Sequence, residues 1–86
     1  MESSTLSVLS IDMIATGRRI AQAREKVGIS VRDLQDVLGL GAPTAIYKWQ
    51  RGECLPKLDH LVIISVLLEV PMDELIVYRK TQVSSI

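Results

Sequence analysis

One imidazole, His60, and one thiol, Cys54, are the groups in this 86-residue sequence best suited to catalysis or metal binding. No second histidine or cysteine stands at ligand spacing from either, and the thiol has no basic neighbour of the kind that activates a nucleophile. Cys54 is therefore expected to be a small apolar filler and His60 a surface residue. No glycine-rich phosphate loop follows a strand pattern, and no Ser/His/Asp set can be assembled. Neither an enzyme nor a metal, cofactor or small-molecule site is expected. A single cysteine excludes an intrachain disulfide and suits a reducing cytoplasm.

Charge is the remaining chemistry, and it is unevenly placed. The formal net charge is zero. Between Arg18 and Lys57, however, Arg18, Arg19, Arg24, Lys26, Arg32, Lys48, Arg51 and Lys57 face only Glu25, Asp33, Asp36 and Glu53, an excess of four positive charges. A basic middle between acidic flanks is the pattern of a surface that meets phosphate.

The elements that must carry these groups are short helices. Hydrophobic residues make up 48% of the chain but aromatic residues only 3%, so the core has to be aliphatic, which favours packed helices over a sheet. A chain of this length forms one domain with a marginal core, burying about 60% of its unfolded surface. Residues 1–11 read as an N-terminal arm, flexible or strand-like, residues 12–77 as the helical domain, and residues 78–86 as a tail that frays or adds a strand. Asp12 is placed to cap helix 1, Met13–Lys26, with Ile20, Ala23, Arg24 and Val27 on one face and Gly28 as its stop. Ser30 and Asp33 form a capping pair for helix 2, whose stripe is Leu34, Val37 and Leu38, ending at Gly39. Pro43 suits the first turn of helix 3, which runs to about Gln50, buries Ile46 and Trp49 and closes at Gly52. Helix 4, about Leu58–Leu68, turns Leu61, Ile64, Ser65 and Leu68 inward. Pro71 and Met72 open helix 5. The apolar run Leu61–Leu68 is too short to span a bilayer, and the N-terminus has no signal-peptide pattern.

The run ISVRDLQDVLGL, followed by IYKWQRGECLPKLDHL and VPMDEL, resembles the Cro and lambda-repressor-like (XRE) helix-turn-helix family over about Arg18 to Leu75. The resemblance rests on Ile20, Arg24, Gly28, Ser30, Leu34, Leu38, Gly39, Ile46, Trp49, Arg51-Gly52, Pro56, Leu58, Leu61 and Leu75 standing in order. It implies an all-α, compact five-helix DNA-binding domain with the helix-turn-helix at helices 2 and 3. It further implies a cytoplasmic transcriptional regulator, a repressor above all, that binds a pseudo-palindromic double-stranded operator as a homodimer. Three positions depart from the family pattern. The connection from Leu40 to Ile46 is one residue longer, Gln35 stands where a small alanine is usual, and Gln50 replaces the glutamate that commonly partners the helix-1 arginine, here Arg24.

With Ile46 and Trp49 inward, helix 3 turns Thr44, Ala45, Tyr47, Lys48 and Arg51 outward. Thr44 and Lys48 lie four apart, the spacing needed to touch neighbouring base pairs: lysine donates to guanine O6 and N7, threonine to a base edge or a thymine methyl. Ser30 and Arg32 at the start of helix 2, with Arg51 and Lys57 on the far side, are the expected phosphate contacts. Val31 stands where the family often has a glutamine contact. Ile63, Val66 and Leu67 lie off the inward stripe of helix 4 and, with Ile76 and Val77, make a candidate dimer surface unless the N-terminal arm covers it. The competing expectation is a protein-interaction module, an antitoxin or adaptor on the same fold.

Overall fold

The computed structural model describes residues 5–84, with side-chain surroundings over residues 9–80. Each helix starts and stops where local chemistry directs it. In α1, Met13–Lys26, the Asp12 carboxylate accepts the Ala15 N–H at 2.9 Å. In α2, Val31–Leu38, Ser30 accepts the Asp33 N–H at 3.0 Å while Asp33 accepts the Ser30 N–H at 3.2 Å. That reciprocal box satisfies two donors that the first helical turn leaves free. Gly39 then ends α2 at φ 69°, a conformation that glycine adopts without steric cost.

The next helix, α3, spans Thr44–Arg51, so Pro43 precedes it instead of opening it. The remaining two are α4, Leu58–Leu68, and α5, Met72–Leu75. Ile20, Leu34, Leu38, Ile46, Trp49, Leu61, Ile64, Leu68 and Leu75 form the core, an aliphatic cluster closed by one indole.

Three expectations about side-chain placement are corrected here. Val27 is the C-cap of α1 and exposed. Val37 is 52% exposed; Leu34 and Leu38 suffice to fill the stripe of an eight-residue helix, and Val37 turns outward. His60 is half-buried, its ring 5.8 Å from that of Trp49, with Nδ1 buried and without a hydrogen-bond partner.

The segments on either side of the helices pair with each other. Thr5–Ile11 forms strand β1 and Tyr78–Ser84 strand β2, paired antiparallel from Ile11 opposite Tyr78 to Thr5 opposite Ser84. Residues 1–4 of the expected arm and 85–86 of the expected tail lie outside the described residues. The ribbon is fastened to the helices at its base. Asp12 N–H donates to Val77 O at 2.8 Å, and Thr16, fully buried, accepts the Val77 N–H at 2.9 Å and donates to Val77 O at 3.3 Å.

Candidate nucleic-acid interface

The orientation of α3 is fixed from behind. Ile46 and Trp49, three residues apart, are both buried, which leaves Thr44, Tyr47, Lys48 and Arg51 exposed on the other side. Ala45, expected outside, is half-buried against the core, since it adjoins the inward face. The end of α3 is held against α1 at unusually short range. A Cβ on Gly17 would lie 1.9 Å from the carbonyl oxygen of Trp49, and one on Gly52 would lie 2.6 Å from the Cα of Ile14. Gly52 also sits at φ 78°, so it both ends the helix and admits this approach.

Arg24 connects the same elements through polar bonds. Its Nε donates to Gln50 Oε1 at 3.1 Å and its Nη1 to the carbonyl of Ile29 at 3.0 Å. Gln50 thus takes the partner's place that the sequence suggested, as a charge-assisted hydrogen bond instead of an ion pair. Gln35 spans the longer turn by donating to the Leu40 carbonyl at 3.3 Å. Along its backbone α3 approaches α1 more closely than it approaches α2.

The exposed groups fall into two sets. Arg32 and Tyr47 line one open cleft between α2 and α3, together with Val31, Gln35 and Pro43. Arg32 is held only loosely, 3.8 Å from Asp36 across one helical turn, and Ser30 is exposed at the head of the same helix. At the other end of α3, Arg51 pairs with Glu53, and Lys48 is close enough to add its field. Glu53 is accordingly held below the usual carboxylate range, chiefly by the hydrogen bond from Arg51 and then by the positive charges of Arg51 and Lys48. The same hydrogen bond raises the Arg51 guanidinium. Lys57 is exposed just before α4. Sequence reasoning counted Glu53 only in the charge balance and missed its pairing with Arg51, although an acid two residues after Arg51 was a visible signal. It also passed over Gly17, whose role depends on a neighbour distant in sequence.

An apolar groove lies elsewhere on the surface, lined by Val37 of α2 and by Val62, Ile63, Val66 and Leu67 of α4. Val66 is 74% exposed, while Leu67 and Ile76 are half-buried against the core. The described part of the N-terminal arm pairs with β2. Among the described residues no cluster of potential metal ligands occurs, and no helix is long and apolar enough to cross a membrane.

Comparison with known proteins places this geometry. A helix-turn-helix family profile matches residues 20–75. No curated protein sequence matches the chain. Among solved structures, the P22 c2 repressor in complex with a synthetic operator is 32% identical, with a TM-score of 0.63 over 70% of this chain and 89% of that one. SinR, the master regulator for biofilm formation, solved in complex with DNA, is 28% identical with a TM-score of 0.61 over 70% and 95%. The restriction-modification controller protein C.AhdI from Aeromonas hydrophila shares the fold at 23% identity, TM-score 0.65, over 74% and 96%.

Proposed function

Since the chain belongs to the helix-turn-helix family of Cro and lambda-repressor-like regulators, we propose that it is a transcriptional regulator, acting as a repressor, that sets α3 in the major groove of double-stranded DNA. The observation that carries this reading is the two-sidedness of α3. Its buried side locks onto α1 and the core, and its free side presents Thr44, Tyr47, Lys48 and Arg51 to solvent. An α-helix fits the major groove, where side-chain donors and acceptors distinguish all four base pairs.

Lys48 and Thr44 are the base-reading residues, Lys48 for guanine and Thr44 for a neighbouring pair. Tyr47 and Arg32, on the shared cleft, take sugar and phosphate, and the hydroxyl proton of Ser30 is free to donate while its oxygen serves the cap. Arg51 and Lys57 take phosphates on the other flank. Ala45 contributes only its methyl edge. A single recognition helix covers few base pairs, so the protein acts as a cytoplasmic homodimer on a pseudo-palindromic operator, with half-sites about 34 Å apart. The apolar groove of α2 and α4, centred on Ile63, Val66 and Leu67, is the dimer surface that the exposure of Val66 favours; Ile76 borders it from α5.

Titration of the protein with duplex DNA at several salt concentrations tests the reading. Binding is expected to weaken with a log–log slope of several units, as counterions are released from each neutralised phosphate. Absence of DNA binding at low salt, with a stable fold, would overturn it.

A further inference from the structure

The β1–β2 ribbon lies wholly outside residues 20–75, the part that the family shares. It is also a structure in need of a neighbour. The molecule measures 53 × 22 × 19 Å, whereas its longest helix has 14 residues, about 21 Å at 1.5 Å per residue. A seven-residue ribbon adds roughly 24 Å and must project beyond the helices to account for the long axis. Leu9 and Tyr78 near its base are about 60% exposed. A two-stranded ribbon standing alone is marginal in water.

Its two edges differ. Strand β2 carries two charges, Arg79, which lies 3.9 Å from Asp12, and Lys80, and charge of this kind keeps strand edges apart. The sequence of β1, TLSVLSI, contains no charge, no proline and no glycine. The bond from Asp12 N–H to Val77 O fixes which backbone groups point inward. With the observed register, alternation along an antiparallel ladder directs Ser10, Val8 and Leu6 toward β2 and leaves the N–H and C=O of Ile11, Leu9, Ser7 and Thr5 on the outer edge.

We infer that the uncharged outer edge of β1 pairs antiparallel with β1 of a second copy of this chain, joining two ribbons into a four-stranded sheet. One register uses the whole edge: with the two-fold axis at Val8, Ser7 pairs with Leu9 of the second copy and Thr5 with its Ile11, so every outward backbone group of both strands is satisfied. The contact is self-complementary and closed, as a two-fold interface must be. It is a second self-association surface, separate from the apolar groove of α2 and α4, so that the two used together carry assembly beyond the DNA-binding homodimer, and it does not rest on the reading of DNA.

Sedimentation without DNA tests it. Val66→Glu places a charge on the apolar groove at an exposed position, and this variant is expected to remain a dimer through β1. Adding Val8→Lys sets two like charges opposite each other across the axis, and the double variant is expected to be a monomer with an unchanged helical circular dichroism spectrum. Mixing Val66→Glu/Val8→Lys with Val66→Glu/Val8→Glu restores a heterodimer. In that mixture the Leu9 and Ile11 amides exchange hydrogen at least tenfold more slowly than in either variant alone. A monomeric Val66→Glu protein, or a double variant that still dimerises, would overturn the inference. Should the lysine unfold the ribbon, Ser7→Pro combined with Val66→Glu removes an outward N–H without touching the β1–β2 ladder and is expected to give the same monomer.

Discussion

In the proposed mode of binding Arg51 serves both DNA and Glu53, and the competition between them is a property of two side chains. The exposed pair with Glu53 withdraws a cation from the flank of α3 proposed to meet phosphate. Glu53→Gln is therefore expected to tighten DNA binding severalfold and to steepen its salt dependence, as read by titration at two ionic strengths. The pair also has a pH signature. Glu53 has a lowered pKa in the folded protein, so its contribution is fully present above the ordinary carboxylate value and is lost as pH falls through the lower, folded value. An NMR titration should find its midpoint below that of a free glutamate, returning toward normal in Arg51→Ala. Gln50 makes a second case. Replacing it with leucine leaves the Arg24 Nε without its partner, and chemical denaturation should show a loss of about 1.5–3 kcal/mol. That partnership was legible through the family resemblance, which pairs the helix-1 arginine with position 50. The closeness of His60 to Trp49 was not, because an unpatterned polar residue on a helix gives no periodic sign of what it touches.

At the scale of elements, α3 can be aimed only because α1 lets it come near. Gly17 and Gly52 leave no room for a Cβ against the Trp49 carbonyl and the Ile14 backbone. Gly17→Ala should cost about 1–3 kcal/mol, since backbone, unlike a flexible side chain, gives way poorly. It should also weaken DNA binding by displacing α3; retained stability and affinity would contradict the tight contact. Helix boundaries were readable because caps are local: Asp12, Ser30 with Asp33, Gly39 and Gly52 each act within a few residues. Val37 was misread because a stripe at three- and four-residue spacing marks a face without fixing its width. Gly17 was silent for a different reason. A glycine inside α1 looks like a weak helical position until the α3 backbone is seen crossing it.

For the whole molecule, the question is how a body with one reading helix acquires useful affinity. Val66→Glu should lower operator affinity at least tenfold if the α2 and α4 groove joins two reading heads, while its unfolding midpoint stays close to that of the parent protein. Sedimentation and DNA titration together check this. The helical body was foreseeable from the aliphatic composition and the ordered motif residues. The pairing of the two flanking segments was open in the sequence, since Thr5–Ile11 and Tyr78–Ser84 carry little that marks them as each other's partners beyond alternation.

Reading by Lys48 from the free face of α3 is tested most directly by selecting bound sequences from random duplexes with the parent protein and with Lys48→Ala. Major-groove reading predicts a two-fold symmetric preferred site, with the preference lost at one base pair of each half-site in Lys48→Ala and the rest of the site retained. A uniform weakening with every base preference intact would contradict it.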